Sequence, residues 1–202
     1  MNARLQFWEG DFGIAYTDRN IGDIALLAGT FSRLLKGLDL NRVLEVGCNR
    51  GHNLVALASL LPAGSEIVGV EPNQHARGIA RQADSRIAVV EGNAFDLPFE
   101  GGQFDLAFTA GVLIHIAPGD LPVALREIHR VTRRYLLAIE YFSEETTAVN
   151  YRGHDGYLWK RNFLRDYRTE FPDLGLVRSG FLGPEDGFDN CHWWLLEKME
   201  KG

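Results

Sequence analysis

The sequence predicts an α/β fold with one seven-stranded sheet, mostly parallel, that ends in a C-terminal antiparallel hairpin. Three observations support this prediction. Short apolar runs at residues 43–46 and 67–70 are typical of strands buried on both faces, and segments with helical spacing alternate with such runs. The first run ends at Gly47 and Gly51, a spacing typical of a tight turn from a strand into a helix. Two late runs joined by a glycine-rich loop predict the hairpin.

The other elements follow from apolar periodicity and from the positions of glycine and proline. Helices are predicted at residues 21–38, 53–61, 73–83, 120–131 and 161–171. Further strands are predicted at residues 86–90, 104–109, 135–139, 176–181 and 191–198. Strands that alternate with helices in this way are typical of a parallel sheet with helices on its faces.

Length and composition favour one domain with a small partner. The 202 residues, 46% of them hydrophobic, suffice for a single well-buried domain over residues 1–202. A net charge of −6 without any lysine- or arginine-rich block argues against nucleic acid as the partner and favours a small molecule. We recognise no signal peptide, transmembrane run or disulfide framework, and therefore expect a cytoplasmic protein without membrane contact. No spacing of His, Cys and Asp predicts a metal site.

Two acidic residues at strand ends predict a bound nucleoside. Glu45 lies within the first strand, where a buried carboxylate is unfavourable unless a hydrogen-bonding or positive group, such as a ligand ammonium, meets it. Glu71 and Pro72 end the second strand about twenty residues beyond the glycine turn, the spacing at which an acidic side chain binds ribose hydroxyls. The amides of residues 50–53, in the first turn of the next helix, should bind an anionic or zwitterionic group. The alternative is an ordinary strand-to-helix turn that needs glycine only for its shape.

The glycine pattern distinguishes between nucleotides. A dinucleotide-binding turn needs G-x-G-x-x-G, and the sequence G-C-N-R-G-H-N that starts at Gly47 lacks two of these glycines. The stretch resembles the first motif of class I S-adenosylmethionine (SAM)-dependent methyltransferases, E/D-x-G-x-G-x-G, with Asn49 at the middle glycine, and asparagine tolerates the left-handed conformation. The resemblance implies a Rossmann-like doubly wound fold, S-adenosylhomocysteine as the product, and SAM-binding residues Glu45, Gly47, Asn49, Gly51, Glu71 and Pro72. A nicotinamide-dependent oxidoreductase and a non-catalytic SAM-binding partner subunit are the alternatives.

Two later loops are expected to complete the cofactor site. Asn93 and Ala94 follow the third strand, where the resemblance implies that the Asn93 side chain binds the adenine amino group and the Ala94 amide binds a ring nitrogen. The alternative is that Asn93 only caps a turn. Gly111 and Val112 follow the fourth strand, and ligands of open α/β sheets lie beyond the carboxyl ends of the strands. This loop should therefore face the methyl group that is transferred.

Residues 1–38 are expected to form an N-terminal helical lid. Residues 5–20 contain four aromatic side chains at near-helical spacing, namely Phe7, Trp8, Phe12 and Tyr16. One interpretation is an amphipathic helix that packs these rings against the core. The other follows from the resemblance, in which the segment before the first strand crosses the cofactor cleft. Its polar residues would then contact the SAM carboxylate or close over the acceptor, and they are Tyr16, Arg19 and Asn20.

His115 and Glu140 lie in positions that should face the acceptor. His115 is the candidate catalytic base, because a histidine with a near-neutral pKa could remove the acceptor's proton as the acceptor attacks the methyl group. The alternative is a structural histidine bonded to the backbone, since methyl transfer often needs little beyond in-line positioning. Glu140 ends the fifth strand and could bind acceptor hydroxyls or amines, or pair with Arg133 or Arg134.

Residues 141–172 are the expected acceptor-binding insertion. The stretch is irregular and mixes rigid aromatic side chains with polar ones, as expected where a polar acceptor is held between flat faces. The candidate substrate-binding residues are Glu140, Tyr151, Arg152, His154, Asp155 and Trp159. The patterns F-W-x-G-x-F-G-x-x-Y-x-x-R-N near the start and D-G-Y-L-W-K-R-N-F later resemble methylases associated with pseudaminic acid and other surface-sugar pathways. This resemblance implies methyl transfer to nitrogen or oxygen of a small polar metabolite, such as a nucleotide-linked sugar.

Overall fold

A seven-stranded sheet forms the centre of the computed structural model, which describes residues 3–199. The strands of the described chain are β1 (Arg42–Val46), β2 (Glu66–Glu71), β3 (Ile87–Glu91), β4 (Phe104–Ala110), β5 (Thr132–Glu140), β6 (Thr147–Ala148), β7 (Trp159–Lys160), β8 (Leu174–Leu182) and β9 (Cys191–Lys198). Strands β6 and β7 pair with each other, and the others form the sheet in the order β3-β2-β1-β4-β5-β9-β8. The first five strands are parallel, while β9 pairs antiparallel with β5 and β8. The predicted Rossmann-like α/β fold is confirmed.

Helices cover both faces of this sheet. They are α1 (Ala3–Glu9), α2 (Asp11–Arg19), α3 (Ile24–Leu34), α4 (His52–Ala58), α5 (Gln74–Ala83), α6 (Leu121–Val131) and α7 (Phe163–Glu170). On one face, Phe31 of α3 packs edge-on against Phe108 of β4, with ring centroids 5.5 Å apart. On the other, Leu125 of α6 and Phe163 of α7 lie in one buried cluster with Leu136 of β5. Burial on both faces explains why β1, β2 and β4 are nearly continuous apolar runs.

The first long helix is shorter than predicted. The carboxylate of Asp23 accepts hydrogen bonds from the amides of Ala25 and Leu26, at 3.0 and 3.1 Å, so α3 begins after Asp23 and not at residue 21. The helix ends before Leu35, and Gly37 follows with a φ of 80°. The predicted range 21–38 is therefore wrong at both ends, because apolar periodicity continues through the capping residues on each side.

Polar contacts attach the N-terminal helices to the carboxyl edge of the sheet. The Asn73 side-chain amide donates to the carbonyls of Trp8 and Glu9, at 2.9 and 3.2 Å, and so binds the end of α1. Arg50 donates to the Thr17 carbonyl near the end of α2, at 3.1 Å. The two N-terminal helices are thus held by residues that follow β1 and β2, the two strands whose ends carry the predicted cofactor site.

The predicted domain extends beyond the described residues at both ends. Of the predicted ranges 1–202 and 1–38, residues 1, 2 and 200–202 lie outside the part of the chain that the structure describes. From residue 3 to residue 199, no helix has the length and apolar character needed to cross a membrane.

Candidate functional site

The turn after β1 adopts the conformation that its glycines predict. Gly47, Asn49 and Gly51 have φ values of 78°, 46° and 79°, so Asn49 takes the left-handed conformation in place of a glycine, as predicted. A Cβ atom on Gly47 would lie 2.6 Å from Cγ2 of Val112. Glycine at position 47 therefore allows the loop after β4 to approach the end of β1, so the two loops lie against each other at the carboxyl edge of the sheet.

Two of the four amides predicted to bind an anion have partners within the turn before α4. The Arg50 amide donates to Oδ1 of Asn49 at 2.7 Å, and the Gly51 amide donates to the Cys48 carbonyl at 2.8 Å. The expectation that these two amides bind an anion is therefore wrong, because the turn uses them to close itself.

Glu45 presents a buried carboxylate oxygen without a partner. The side chain is 2% exposed, and its Oε1 accepts a hydrogen bond of 2.7 Å from the side-chain amide of Asn53. Oε2 has no hydrogen-bond partner among the described residues. The pKa of Glu45 is raised to about 8, mainly by burial and to a smaller extent by the Glu71 carboxylate, against the hydrogen bond from Asn53. An unsatisfied acceptor of this kind suits a ligand that brings a positively charged donor.

Glu71 joins the ends of β1 and β2. Its Oε2 accepts from the Asn49 amide at 2.8 Å, and its Oε1 accepts from the Asn73 amide at 2.9 Å. Arg77 donates to the carbonyls of Glu71 and Pro72, at 2.9 and 2.6 Å. Burial raises the pKa of Glu71, while the two amides and Arg77 act in the opposite direction. Each carboxylate oxygen can accept a second hydrogen bond, so the side chain retains capacity for ligand hydroxyls.

Asn93 caps a turn in the loop after β3, as the alternative interpretation of the sequence proposed. Oδ1 of Asn93 accepts a hydrogen bond from the Phe95 amide at 2.9 Å, and Asn93 forms an isolated bridge with Asp96. Ala94 is buried beside this turn. Asn93 thus caps a turn at the carboxyl edge, next to the end of β2.

Glu140 shapes the loop after β4. The side chain is fully buried, and it accepts hydrogen bonds from the amides of Val112, Leu113 and Ile114, at 3.2, 3.1 and 3.3 Å. Burial raises its pKa to about 7, although these amides act in the opposite direction. The carboxylate therefore faces the protein's own backbone and holds in place the loop that carries Gly111.

The expected partners of Glu140 are bound elsewhere. Arg133 forms an ion pair with Asp105, and Arg134 forms one with Glu197. The prediction that Glu140 pairs with one of these arginines is wrong. The two arginines lie near the start of β5, whereas Glu140 is its last residue, so the chain separates them by the length of the strand.

His115 is half-buried beneath aromatic side chains. Its Nδ1 lies 2.7 Å from the Tyr157 carbonyl oxygen, which requires Nδ1 to carry a proton. The ring centroid lies 4.5 Å from that of Trp8 and 4.9 Å from that of Tyr151. Burial lowers the pKa of His115 to about 4, against the effect of the bond to Tyr157. The near-neutral pKa expected from the sequence is therefore wrong, and the imidazole is neutral at pH 7.

The N-terminal helices meet the predicted insertion above His115. Trp8 contacts Tyr16 and Tyr151, with ring centroids 5.3 and 6.3 Å away, and Phe7 lies 4.2 Å from Tyr157. The indole N–H of Trp8 is buried without a hydrogen-bond partner among the described residues. The aromatic residues of α1 and α2 thus pack against the loop of residues 150–157.

The remaining predicted substrate residues have different environments. His154 is exposed, with its ring 4.9 Å from that of Phe7. Asp155 accepts a hydrogen bond of 2.8 Å from the Asn150 side chain, which stabilises the loop. Trp159 is 8% exposed and is covered by Arg4, whose guanidinium carbon is 5.3 Å from the ring centroid. His154 and Trp159 therefore contact α1, whereas Asp155 contacts its own loop.

Sequence reasoning missed three polar residues at this edge. Asn53 binds Glu45, Asn73 binds both Glu71 and α1, and Asp189 accepts a hydrogen bond of 2.6 Å from the Tyr141 hydroxyl. The position of Asn73 before α5 matches a helix N-cap and could have been recognised. Asp189 lies in the glycine-rich loop before β9, and only the antiparallel pairing of β9 with β5 places it beside the site. Among residues 3–199, no three His, Cys, Asp or Glu side chains are grouped so as to hold a metal ion.

Known proteins match the part of the chain that carries this geometry. Residues 43–134 match a family model described as a methyltransferase domain. Over 92 residues the chain is 34% identical to an uncharacterized methyltransferase of Synechocystis sp., covering 46% of this chain and 42% of that protein. Over 138 residues it is 28% identical to a demethylmenaquinone methyltransferase of Lactococcus lactis, covering 66% of this chain and 48% of that protein. The chain thus spans less than half the length of these relatives.

Solved structures share the fold. One is 1,6-didemethyltoxoflavin-N1-methyltransferase of Burkholderia thailandensis, which contains 1,6-didemethyltoxoflavin and S-adenosylhomocysteine. It matches with a TM-score of 0.70 and 17% identity, covering 98% of this chain and 88% of that one. At this identity the match establishes the shared fold. The family model that matches residues 43–134 and this solved structure both belong to methyltransferases.

Proposed function

We propose that this chain is a cytoplasmic SAM-dependent methyltransferase that acts on nitrogen or oxygen of a small polar metabolite. One observation carries the proposal: the buried Glu45 oxygen without a partner lies at the end of β1, beside a glycine turn and the Glu71 carboxylate. The match of residues 43–134 to a methyltransferase domain supports it. The finer proposal of a nucleotide-linked sugar as acceptor rests on the resemblance of the two aromatic motifs.

The residues at the carboxyl edge fit SAM as a cofactor. Glu45 would bind the ammonium of its amino acid portion, because Oε2 is an acceptor without a partner. Glu71 would bind the ribose hydroxyls through the remaining acceptor capacity of its oxygens. We assign the adenine to Asn93 and Ala94. The glycine turn and the Gly111–Val112 loop would line the cleft between these groups.

In the proposed mechanism the chain mainly orients the acceptor. When bound, SAM supplies an electrophilic methyl group to a nucleophilic nitrogen or oxygen. The lid and the loop of residues 150–157 would exclude water and hold the acceptor in line with that methyl group, and such positioning supplies most of the acceleration. His115 is placed below these aromatic walls, where its neutral ring could accept the acceptor's proton or hold the loop through Tyr157.

Binding and product release test the proposal. Calorimetry should detect binding of SAM and of S-adenosylhomocysteine but not of NAD. Incubation with SAM and a panel of sugar nucleotides, amines and amino acids should release S-adenosylhomocysteine with at least one acceptor, whose mass increases by one methyl group. Binding without release for every acceptor would favour a non-catalytic SAM-binding subunit, and selective binding of NAD would favour an oxidoreductase.

Protonation of Glu45 should be linked to cofactor binding. At pH 7 the buried carboxyl is mostly protonated, since its pKa is about 8. A bound ammonium favours the ionised form, so binding of S-adenosylhomocysteine should release up to about one proton, and the affinity should rise from pH 6 to pH 8. The measurement is calorimetry in buffers of different ionisation enthalpy. Glu45→Gln should remove the buffer dependence, and a buffer-independent heat in the wild type would contradict the assignment.

His115 can be tested by two matched variants. His115→Asn keeps a donor that can reach the Tyr157 carbonyl, whereas His115→Ala removes it. We expect kcat to fall less than about 10-fold in the asparagine variant and at least about 100-fold in the alanine variant, because the main loss is the attachment of the loop. Equal losses in both variants, together with an inflection near pH 4 in the wild-type pH profile, would instead identify His115 as the base.

A further inference from the structure

Three cationic side chains, one from α2 and two from residues 152–160, each lie over a tyrosine ring. The pairs are Arg19 over Tyr16 (5.4 Å from the guanidinium carbon to the ring centroid), Arg152 over Tyr151 (5.9 Å) and Lys160 over Tyr141 (5.6 Å, from Nζ). Most arginines of the described chain bind carboxylates, as Arg161 binds Asp166. These three cations have no carboxylate within 4.0 Å among residues 3–199. In a chain with a net charge of −6, unpaired cations grouped in one place are unusual.

Arg19 and Arg152 come from distant parts of the sequence to the same hydroxyl. Arg19 also lies 5.4 Å from the Phe12 ring, which is 5.8 Å from the ring of Tyr151. Burial raises the pKa of Tyr16 to about 12, Tyr151 and Asp189 act in the same direction, and both arginines act in the opposite direction. Both guanidiniums therefore favour negative charge at the Tyr16 hydroxyl.

Hydrogen bonds fix the shape of the loop that carries Arg152. Tyr151 and His154 exchange two backbone hydrogen bonds of 2.8 and 3.0 Å, and Asn150 accepts from the Gly153 amide at 2.9 Å. Arg152 sits at the tip of this turn with a φ of 52°, a left-handed conformation that glycine or asparagine would adopt more easily. Turn geometry alone thus gives no reason for arginine here, which indicates that its side chain has a role.

We propose that the methyl acceptor carries an anionic oxygen group, a carboxylate or a phosphate, that binds between the guanidiniums of Arg19 and Arg152. The inference rests on the proposed methyltransferase function and defines its substrate class. Planar guanidinium groups bind such oxygens through two parallel hydrogen bonds, and the tyrosine rings beneath them fix their orientation. Lys160 adds a third positive charge. In this proposal Arg19 binds the acceptor and not the SAM carboxylate, which was the other contact expected from the sequence.

The nearby carboxylate of Asp189 is compatible with an anionic acceptor. Its Oδ2 accepts the hydrogen bond from the Tyr141 hydroxyl, so part of its negative charge is already stabilised. Arg19 and Arg152 both oppose the effect of Asp189 on the Tyr16 hydroxyl.

Calorimetry on the protein saturated with S-adenosylhomocysteine tests the inference. Two matched pairs of probes separate the possible anions: uridine diphosphate against uridine for phosphate, and glucuronic acid against glucose for carboxylate. We expect the anionic member of at least one pair to bind at least about 10-fold more tightly than its neutral partner, with the difference decreasing as salt is added. Equal binding within both pairs, or no binding of either anion, overturns the inference.

Matched variants identify the site. Arg152→Asn removes the charge but suits the left-handed conformation, so the loop should keep its shape, and we expect the preference for the anion to fall about 10-fold. Arg168→Gln removes an exposed charge in the last turn of α7 and should leave the preference unchanged. A preference that survives Arg152→Asn overturns the inference. Binding of S-adenosylhomocysteine itself is measured first in each variant: its absence in the wild type refutes the methyltransferase proposal, whereas its presence without any anion preference refutes only the substrate class.

Discussion

Replacing Glu140 with alanine is expected to lower the free energy of unfolding by about 3–5 kcal/mol and to abolish methyl transfer. The fully buried carboxylate accepts the backbone amides of Val112, Leu113 and Ile114. Without it, three donors would remain in the interior with no acceptor, and each unsatisfied donor costs about 1–3 kcal/mol. The loop after β4 would also lose the shape that brings it next to Gly47. Urea denaturation of the purified variant measures the loss of stability.

Glu140→Gln is the matched control for this prediction. Glutamine keeps one carbonyl oxygen in the same place. The free energy of unfolding should therefore fall less than half as much as in the alanine variant. Since the folded-state pKa of Glu140 is raised from 4.5 to about 7, the wild type should lose stability as the pH rises between these values, and the glutamine variant should lose less over that window. An alanine variant within about 1 kcal/mol of the wild type would show that the three amides find other partners.

The second large effect is expected at Glu71. Glu71→Ala should weaken binding of S-adenosylhomocysteine by about 100-fold, because it removes the proposed acceptor of the ribose hydroxyls. It also frees the amides of Asn49 and Asn73, so the turn after β1 should lose order. Glu71→Gln keeps the size of the side chain and should weaken binding by about 10-fold. Calorimetry with S-adenosylhomocysteine measures both changes.

A glutamate at the other end of β2 provides the control. Glu66 begins the strand at the opposite edge of the sheet, where it pairs with Arg42 at 3.5 Å. Glu66→Gln makes the same chemical change on the same strand and should leave the affinity for S-adenosylhomocysteine unchanged. If Glu71→Ala also left that affinity unchanged, the ribose assignment would be wrong.

The fold could be predicted because its strands carry a strong local signal. Strand β9 was predicted with its observed bounds, and β1, β2 and β4 are apolar runs whose burial on both faces leaves little ambiguity. Helix ends were predicted less well. Asp23 interrupts an apolar pattern and caps α3. Because a single polar residue is a weaker signal than the periodic apolar run around it, the start of this helix was predicted wrongly.

The candidate site was predictable only where a local motif carries it. The left-handed Asn49 followed from the glycine pattern, since residue type limits the conformation of a turn. The three amides bound by Glu140 come from a segment more than twenty residues earlier in the chain, and no sequence spacing predicts this contact. The pKa of His115 depends on how completely the lid covers it, which is a property of tertiary packing.

Asn73 contacts both the end of β2 and the first helix. Its backbone nitrogen supports the carboxylate that closes β2, while its side chain holds the last carbonyls of the first helix. The first helix and the proposed ribose-binding carboxylate therefore share one residue. A side-chain substitution there removes the bonds to the first helix while the backbone amide still donates to Glu71, so we expect it to change the association rate of a ligand more than its dissociation rate.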